Sequence, residues 1–265
     1  MSKRAWLRQA TWDRVWVLVA LVAIWQVASW AAGRYWVASP WSTVQGFVEV
    51  ATNGTLAFQA SYTLQATLVG IVLGGVPGIA VPLLLQHWPK LQDMLEPYLV
   101  AGYGIPKVAI APLFIVVFGI GIESKIAVVA SAVFFIVLFS TRAGIESANR
   151  NLVNMARIAG ANGRHVAWHV TLPGALPYVL SGFRVAVPYA ISSAVITELI
   201  SSNRGLGYLV QASATDFDTR GVFVALLAIT LISLVANVCV ALLERWLLAW
   251  RPPVSSDAHK ISSIG

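Results

Sequence analysis

Charge is what this sequence has least of. Only 11% of its 265 residues are Asp, Glu, Lys or Arg, against about 25% in an ordinary soluble domain. A water-facing surface cannot be built from so few. There is a single cysteine, Cys239, within the apolar run LISLVANVCVALL, which excludes an intrachain disulfide and marks it as a small packing residue. No GxxxxGK[ST] run occurs, so the usual loop that cradles nucleotide phosphates is missing. No nucleophile and base and no carboxylate pair converge at a shared depth, which argues against a membrane-embedded enzyme and leaves no catalytic residue to name. His165 and His169 have the i, i+4 spacing of two metal ligands, but no nearby cysteine or carboxylate completes a set, so no metal is expected. The net charge of +7 is spread thinly between long apolar runs, a pattern that speaks against nucleic acid as a partner.

What fills the chain is apolar residue, 58% of the total. A hydrocarbon crossing takes roughly 20 of them in succession, and such segments run over about 14–32, 62–86, 95–118, 124–143, 174–200 and 221–247. The expected fold class is all-α, a polytopic membrane protein with six transmembrane helices in contact with membrane lipid. The basic start MSKRAWLRQATWDR precedes a run long enough to span, with no small-residue cleavage site near its end, and reads as a retained first span. Lys and Arg are retained on the cytoplasmic side during insertion. With both termini inside, twelve of the 18 fall in cytoplasmic segments, four (Arg34, Lys125, Arg204 and Arg220) outside, and Lys107 and Arg184 within spans. The organisation is then a cytoplasmic segment 1–13, a membrane domain 14–250 and a cytoplasmic tail 251–265, in the inner membrane. Trp12, Trp16, Trp30, Trp36, Trp246 and Trp250, near span ends, fit interfacial belts.

Three stretches depart from simple spans. SPWSTVQGFVEVATNGTLAFQ predicts an amphipathic helix along the outer surface. In SSNRGLGYLVQASATDFDTR the apolar part is too short to cross and predicts a segment that re-enters the membrane buried in protein. Pro106 and Pro112 interrupt the third span and predict a kinked, pathway-lining helix.

The long, less apolar connection 144–173 predicts two short amphipathic helices. Leu152, Val153, Ala156 and Ala159 form one apolar side, Gly160 to Gly163 the turn, and Val166, Ala167 and Val170 continue the stripe. Pro173 suits the first turn of the next helix. The spacing Asn154-Met155-Ala156, three residues, Gly160, nine residues, then Val170-Thr171-Leu172-Pro173 resembles the EAA loop of bacterial binding-protein-dependent ABC permeases. The family's pattern is Glu-Ala-Ala, three residues, Gly, nine residues, Ile-x-Leu-Pro. Asn154 replaces the acidic residue and Met155 the first alanine, so the salt bridge the family's glutamate makes to its ATPase has no counterpart here.

The segments IPKVAIAPLFIVVFGIGIESKIAVV, LPGALPYVLSGFRVAV and ELISSNRGLGYLVQAS are similar to the sulfonate, taurine and nitrate branch of these permeases. The resemblance covers about residues 60–250. It implies the type I ABC importer permease fold and a coupling site made by Asn154, Ala156, Arg157, Gly160, Ala161 and Asn162, with Leu172 and Pro173 behind. It also implies a second permease subunit, a dimeric ATP-binding cassette ATPase and a periplasmic or lipid-anchored solute-binding protein. No cofactor is implied on this chain; ATP and magnesium belong to the ATPase. The implied solute is a small anion of sulfonate, taurine or nitrate type, with a neutral heterocyclic or pyrimidine solute as the alternative and a secondary transporter as the more distant one.

Ionisable groups at membrane depth are costly and are default functional candidates. Lys107 and Arg184 stand about 12 and 10 residues into their expected spans, roughly 15–18 Å deep at 1.5 Å per residue. Two cations there would favour an anion in a central pathway, although Arg184 also suits capping carbonyls or binding a neighbouring helix, and Lys107 snorkelling beside the Pro106 kink. Glu198 lies about 21 Å of helix beyond Arg184, too far to pair within that helix. It is expected to hold the re-entrant segment through Asn203, Arg204 or backbone amides.

Overall fold

A computed structural model describes residues 3–33, 35–147 and 150–250, with the side chains of residues 3–11, 150, 151, 157 and 164 outside that description. Arg34 and the expected tail 251–265 therefore lie outside the described residues. In chain order the helices are α1 (Lys3–Ala32), α2 (Pro40–Thr52), α3 (Thr55–Leu85), α4 (Pro89–Gly104), α5 (Ala111–Phe118), α6 (Ile122–Glu146), α7 (Arg150–Ile158), α8 (Gly163–Val166), α9 (Leu172–Ile200), α10 (Leu206–Thr215) and α11 (Thr219–Leu247). A 3-10 turn over Lys107–Ile110 leads into α5, and a π-helical turn over Ala167–Thr171 joins α8 to α9. No strand occurs among the described residues. Five helical stretches are long and apolar enough to cross a bilayer, and α4 with the Lys107–Phe118 segment, bent at 85°, would add a sixth as one broken span.

The inner three helices are α3, α6 and α9. Between 33% and 56% of their apolar windows is buried within the chain, against 6% for α1 and α11. Their contact is close because α3 carries Gly70, Gly74 and Gly78 at successive fourth positions. A Cβ on Gly74 would stand 2.3 Å from the carbonyl oxygen of Ala130, and one on Gly70 2.5 Å from Val129. Only glycine lets two backbones meet so closely, and between membrane helices this packing substitutes for the hydrophobic drive available in water. Val129, Val133 and Val137 of α6 then interlock with Ala186, Ala190 and Ala194 of α9. Gly182 seats on Ser140, and Gly144 on Ala175 and Tyr178.

The third span is broken rather than kinked. Pro106 disfavours helical backbone at the residue before it, and Ile105 is extended (φ −69°, ψ 124°), so α4 stops at Gly104 and the chain turns by 85°. Pro112 makes no second break; it sits in the first turn of α5, where the missing amide hydrogen costs nothing. The expected surface helix is α2, capped by the Ser39 hydroxyl accepting from the Ser42 amide. It ends at Thr52, and the rest of that stretch begins α3 at Thr55, seven residues before the apolar run suggests.

Candidate functional site

A buried polar knot joins α3, α9 and α10. The first turn of α10 presents three successive amides, and each meets a side chain from another helix or segment. Gly205 N–H donates to Gln59 Oε1 (2.7 Å), Leu206 N–H to Thr63 Oγ1 (2.9 Å) and Gly207 N–H to Glu198 Oε2 (2.8 Å). The Thr63 hydroxyl in turn donates to the Glu198 carboxylate (2.9 and 3.0 Å). Gln59 and Thr63 share a face of α3 by their i, i+4 spacing, and Glu198 is 1% exposed. These groups satisfy amides at a helix start that have no partner within the helix. The fit admits only glycine: Gly205 has φ +106°, and a Cβ there would stand 2.3 Å from the Glu198 carboxyl carbon, while one on Gly207 would meet the Val195 carbonyl oxygen at 2.3 Å. One turn away, Lys125 is fully buried and donates to the carbonyls of Ser201 (2.8 Å) and Ile120 (3.4 Å), fastening α6 to the end of α9.

The connection 144–173 has a different character. α7 ends in a left-handed residue, Gly160 (φ +87°), and the Ala161 amide bonds back to the Ala156 carbonyl (3.0 Å), the six-to-one closure of a glycine-terminated helix. Asn162 Oδ1 accepts from the His165 amide (2.8 Å) and starts α8. The expected apolar stripe is narrower than its spacing suggests. Val153 and Ala156 are half-buried, whereas Leu152 and Ala159 are exposed beside Met155 and Ile158, the last 88% exposed. Asn154 lines a cleft of about 520 Å³ with Gln86, His87, Glu146, Val166 and Thr171. Leu172 and Pro173 are half-buried at the root of α9. Arg157 belongs to α7, and its side chain lies outside the described residues.

Of the expected pathway residues, Lys107 turns back on its own break. Its ammonium donates to the carbonyls of Gly102 and Ile105 (2.8 Å to the latter) and lies 4.3 Å over the Phe135 ring. It thus serves carbonyls that α4 leaves unpaired at its end. Arg184 pairs with Glu244 in the last turn of α11 (3.5 Å), and its side chain is 59% exposed. Glu198 is held by a backbone amide, as expected, but through Gly207 and not Asn203 or Arg204. His165 and His169 stack face to face with ring centroids 4.0 Å apart, and His169 Nδ1 contacts the His165 carbonyl (3.1 Å).

Reasoning on the sequence missed Gln59, Thr63 and Lys125. The signal for the first two was weak: they are four apart, but Thr55, Ser61, Tyr62, Gln65 and Thr67 stand in the same stretch, so spacing alone does not single them out. Lys125 was counted among outside cations, and its burial depends on the returning end of α9, which no local pattern reveals.

The sequence profile described as "Binding-protein-dependent transport system inner membrane component" matches residues 66–249. Among curated relatives, the chain is 32% identical to the formylaminopyrimidine transport permease protein ThiX of Halalkalibacterium halodurans, over 87% of this chain and 92% of that one. It is 35% identical to the riboflavin transport system permease protein RibX of Chloroflexus aurantiacus, over 88% of each, and 34% identical to the putative aliphatic sulfonates transport permease protein SsuC of Escherichia coli, over 94% and 95%. Among solved structures, inward-facing MetNI methionine ABC transporter shares the fold, with a TM-score of 0.59 at 16% identity over 71% of this chain and 91% of that one. With the all-helical architecture of five to six candidate crossings and the loop at 144–173, these matches establish that the chain belongs to the inner-membrane component family of binding-protein-dependent transport systems, as a multi-pass ABC importer permease subunit.

Proposed function

We propose that this permease passes a small organic anion of sulfonate, taurine or nitrate type, in partnership with a second permease subunit, a solute-binding protein outside and an ATPase dimer inside that holds ATP and magnesium. The observation that carries the anion is Lys107. Its ammonium stands at the break in the third span, held by carbonyl dipoles, and among the described residues no carboxylate lies within ion-pair distance of it. A membrane cation balanced only by dipoles projects a positive potential into whatever cavity it borders. Arg184, paired with Glu244, contributes less, and Glu198 belongs to the wall of the pathway through the polar knot.

The loop residues Asn154, Ala156, Arg157, Gly160, Ala161 and Asn162, with Leu172 and Pro173 at their root, are the proposed seat of the ATPase. The exposed apolar side chains of Leu152, Met155 and Ile158 support this, since they have no cover within the described residues. Both termini are proposed to be cytoplasmic, on the basic-residue asymmetry; reporter fusions at each end test this, and a periplasmic signal from either removes the six-crossing scheme.

A second reading has its own support: two of the three relatives above carry riboflavin or formylaminopyrimidine in their names, so a heterocyclic solute competes with the anion. Uptake of radiolabelled taurine and an alkanesulfonate, set against riboflavin and formylaminopyrimidine, separates the two in proteoliposomes holding the full complex. The anion reading expects sulfonate uptake that falls about tenfold or more in Lys107→Met at matched protein levels, the scale of losing about 1.4 kcal/mol of favourable interaction. Uptake of a heterocycle with none of the sulfonates overturns it.

A further inference from the structure

The polar knot carries a consequence for transport that depends on the importer reading above. α10 touches both α3 and α9, yet its hold on them is concentrated in one turn. All three amides of Gly205, Leu206 and Gly207 are committed to side chains from outside α10, Leu206 is fully buried, and beyond Gly207 every residue of the helix is at least partly exposed. Thr63 occupies the centre: its single hydroxyl oxygen accepts from α10 and donates to α9's carboxylate, so one side chain of α3 bonds both other helices. Such an arrangement holds as a unit, since releasing α10 would expose three amides and a carboxylate to water together. Partial loosening is disfavoured, because each buried polar group left without its partner is penalised in full.

We propose that Thr63 and Glu198 are positioning residues of the transport cycle, latching the first turn of α10 across α3 and α9 at the end of the bundle opposite the 144–173 loop, and that this latch opens and closes as access alternates. Gln59 shares the latch through Gly205. Lys125 does not take part in the opening, since its bonds run from α6 to the chain following α9 and bypass α10.

The test uses the complete transporter in lipid nanodiscs, with this chain carrying Leu206→Cys on a Cys239→Ser background. A charged maleimide reports access to the position. The latch expects Cys labelling to be slow without nucleotide and to rise at least tenfold in the vanadate-trapped complex with binding protein present. Thr63→Val keeps the volume and removes the hydroxyl; it should raise labelling of the nucleotide-free state about tenfold, the scale of losing one hydrogen bond to a charged group. Thr63→Ser, which restores the hydroxyl, should return it to the parent rate. A static structural role predicts the same labelling in both states and no distinction between Val and Ser, and that result overturns the proposal. Should Leu206→Cys fail to assemble, the same pair decides through ATP hydrolysis without binding protein: Thr63→Val raised several-fold over Thr63→Ser supports the latch, and equal rates refute it. Stimulation of hydrolysis by the binding protein in the unsubstituted complex is read separately, and its absence would refute the importer reading and not the latch.

Discussion

The knot around Glu198 and the loop around Gly160 are both built on glycines, but the glycines do opposite work. At Gly205 and Gly207 an added Cβ would collide with the chain's own atoms at 2.3 Å, whereas at Gly160 it would meet nothing within 4 Å. The knot is finished: every polar group named in it has a partner inside this chain. The loop is unfinished, with a tight turn facing open space and apolar side chains turned away from the bundle. A region whose interactions close within the chain works between the chain's own helices, and one that leaves apolar surface uncovered is shaped for a partner.

That contrast can be broken, and the largest effect is expected at Gly207→Val. Two hard contacts must be relieved by moving α10, and overpacking of this kind costs about 1–3 kcal/mol or more; thermal unfolding of the detergent-purified protein should show it, and an unchanged transition would mean that the first turn of α10 is not held as described. Lys125→Met comes next. It leaves the Ser201 carbonyl without its donor in a buried setting, at about 1–3 kcal/mol, and proteolysis at residues 201–205 should accelerate, while ATPase association stays normal.

At the loop the expected changes to the chain itself are smaller. Gly160→Val forces a β-branched residue into φ +87°, at a cost of about 1–2 kcal/mol confined to the turn. Insertion and permease pairing should persist while co-purification with the ATPase falls, and Gly160→Asn, which tolerates that backbone, should recover most of it. Normal ATPase binding, stimulation and transport in Gly160→Val would remove the loop as the coupling site. The smallest effect on the fold is expected for Ile158→Ser, within about 0.5 kcal/mol as for an exposed position. It should still weaken ATPase association measurably; if it does not, the exposed apolar side chains of α7 are not part of that contact.

Much of the architecture is legible in the sequence. Long apolar runs fix crossing helices because backbone groups in hydrocarbon have no other way to be satisfied, and Pro106 announces a break by its own chemistry. What spacing could not supply was the magnitude of the break, an 85° turn and not a kink, or the use of Lys107 to close it. The pairing of Arg184 with Glu244 lay beyond the sequence for a related reason: the two residues are 60 positions apart, on α9 and α11, and no local spacing joins them. Glu198's attachment to an amide could be expected from its neighbours, but the choice of Gly207 over Arg204 depends on α3 arriving with Thr63 and Gln59, a contact 135 residues distant in sequence.

The glycine stripe of α3 gives that helix the properties of a ruler. With no side chain between them, α3 and α6 have a single register, since a slip of one position would bring Val69 or Ile71 onto a backbone that only glycine can approach. The same unbroken helix carries Thr63 at the knot and leads to Gln86, its capping residue, at the cleft beside Asn154. Twenty-three residues separate them in the numbering, roughly 35 Å at 1.5 Å per residue. A residue inserted between Gly70 and Gly78 would rotate one end by about 100° relative to the other, so either the knot or the cleft would keep its alignment, but not both. The length and phase of α3 are therefore shared between the two ends of the molecule, and neither end can drift in sequence without the other constraining it.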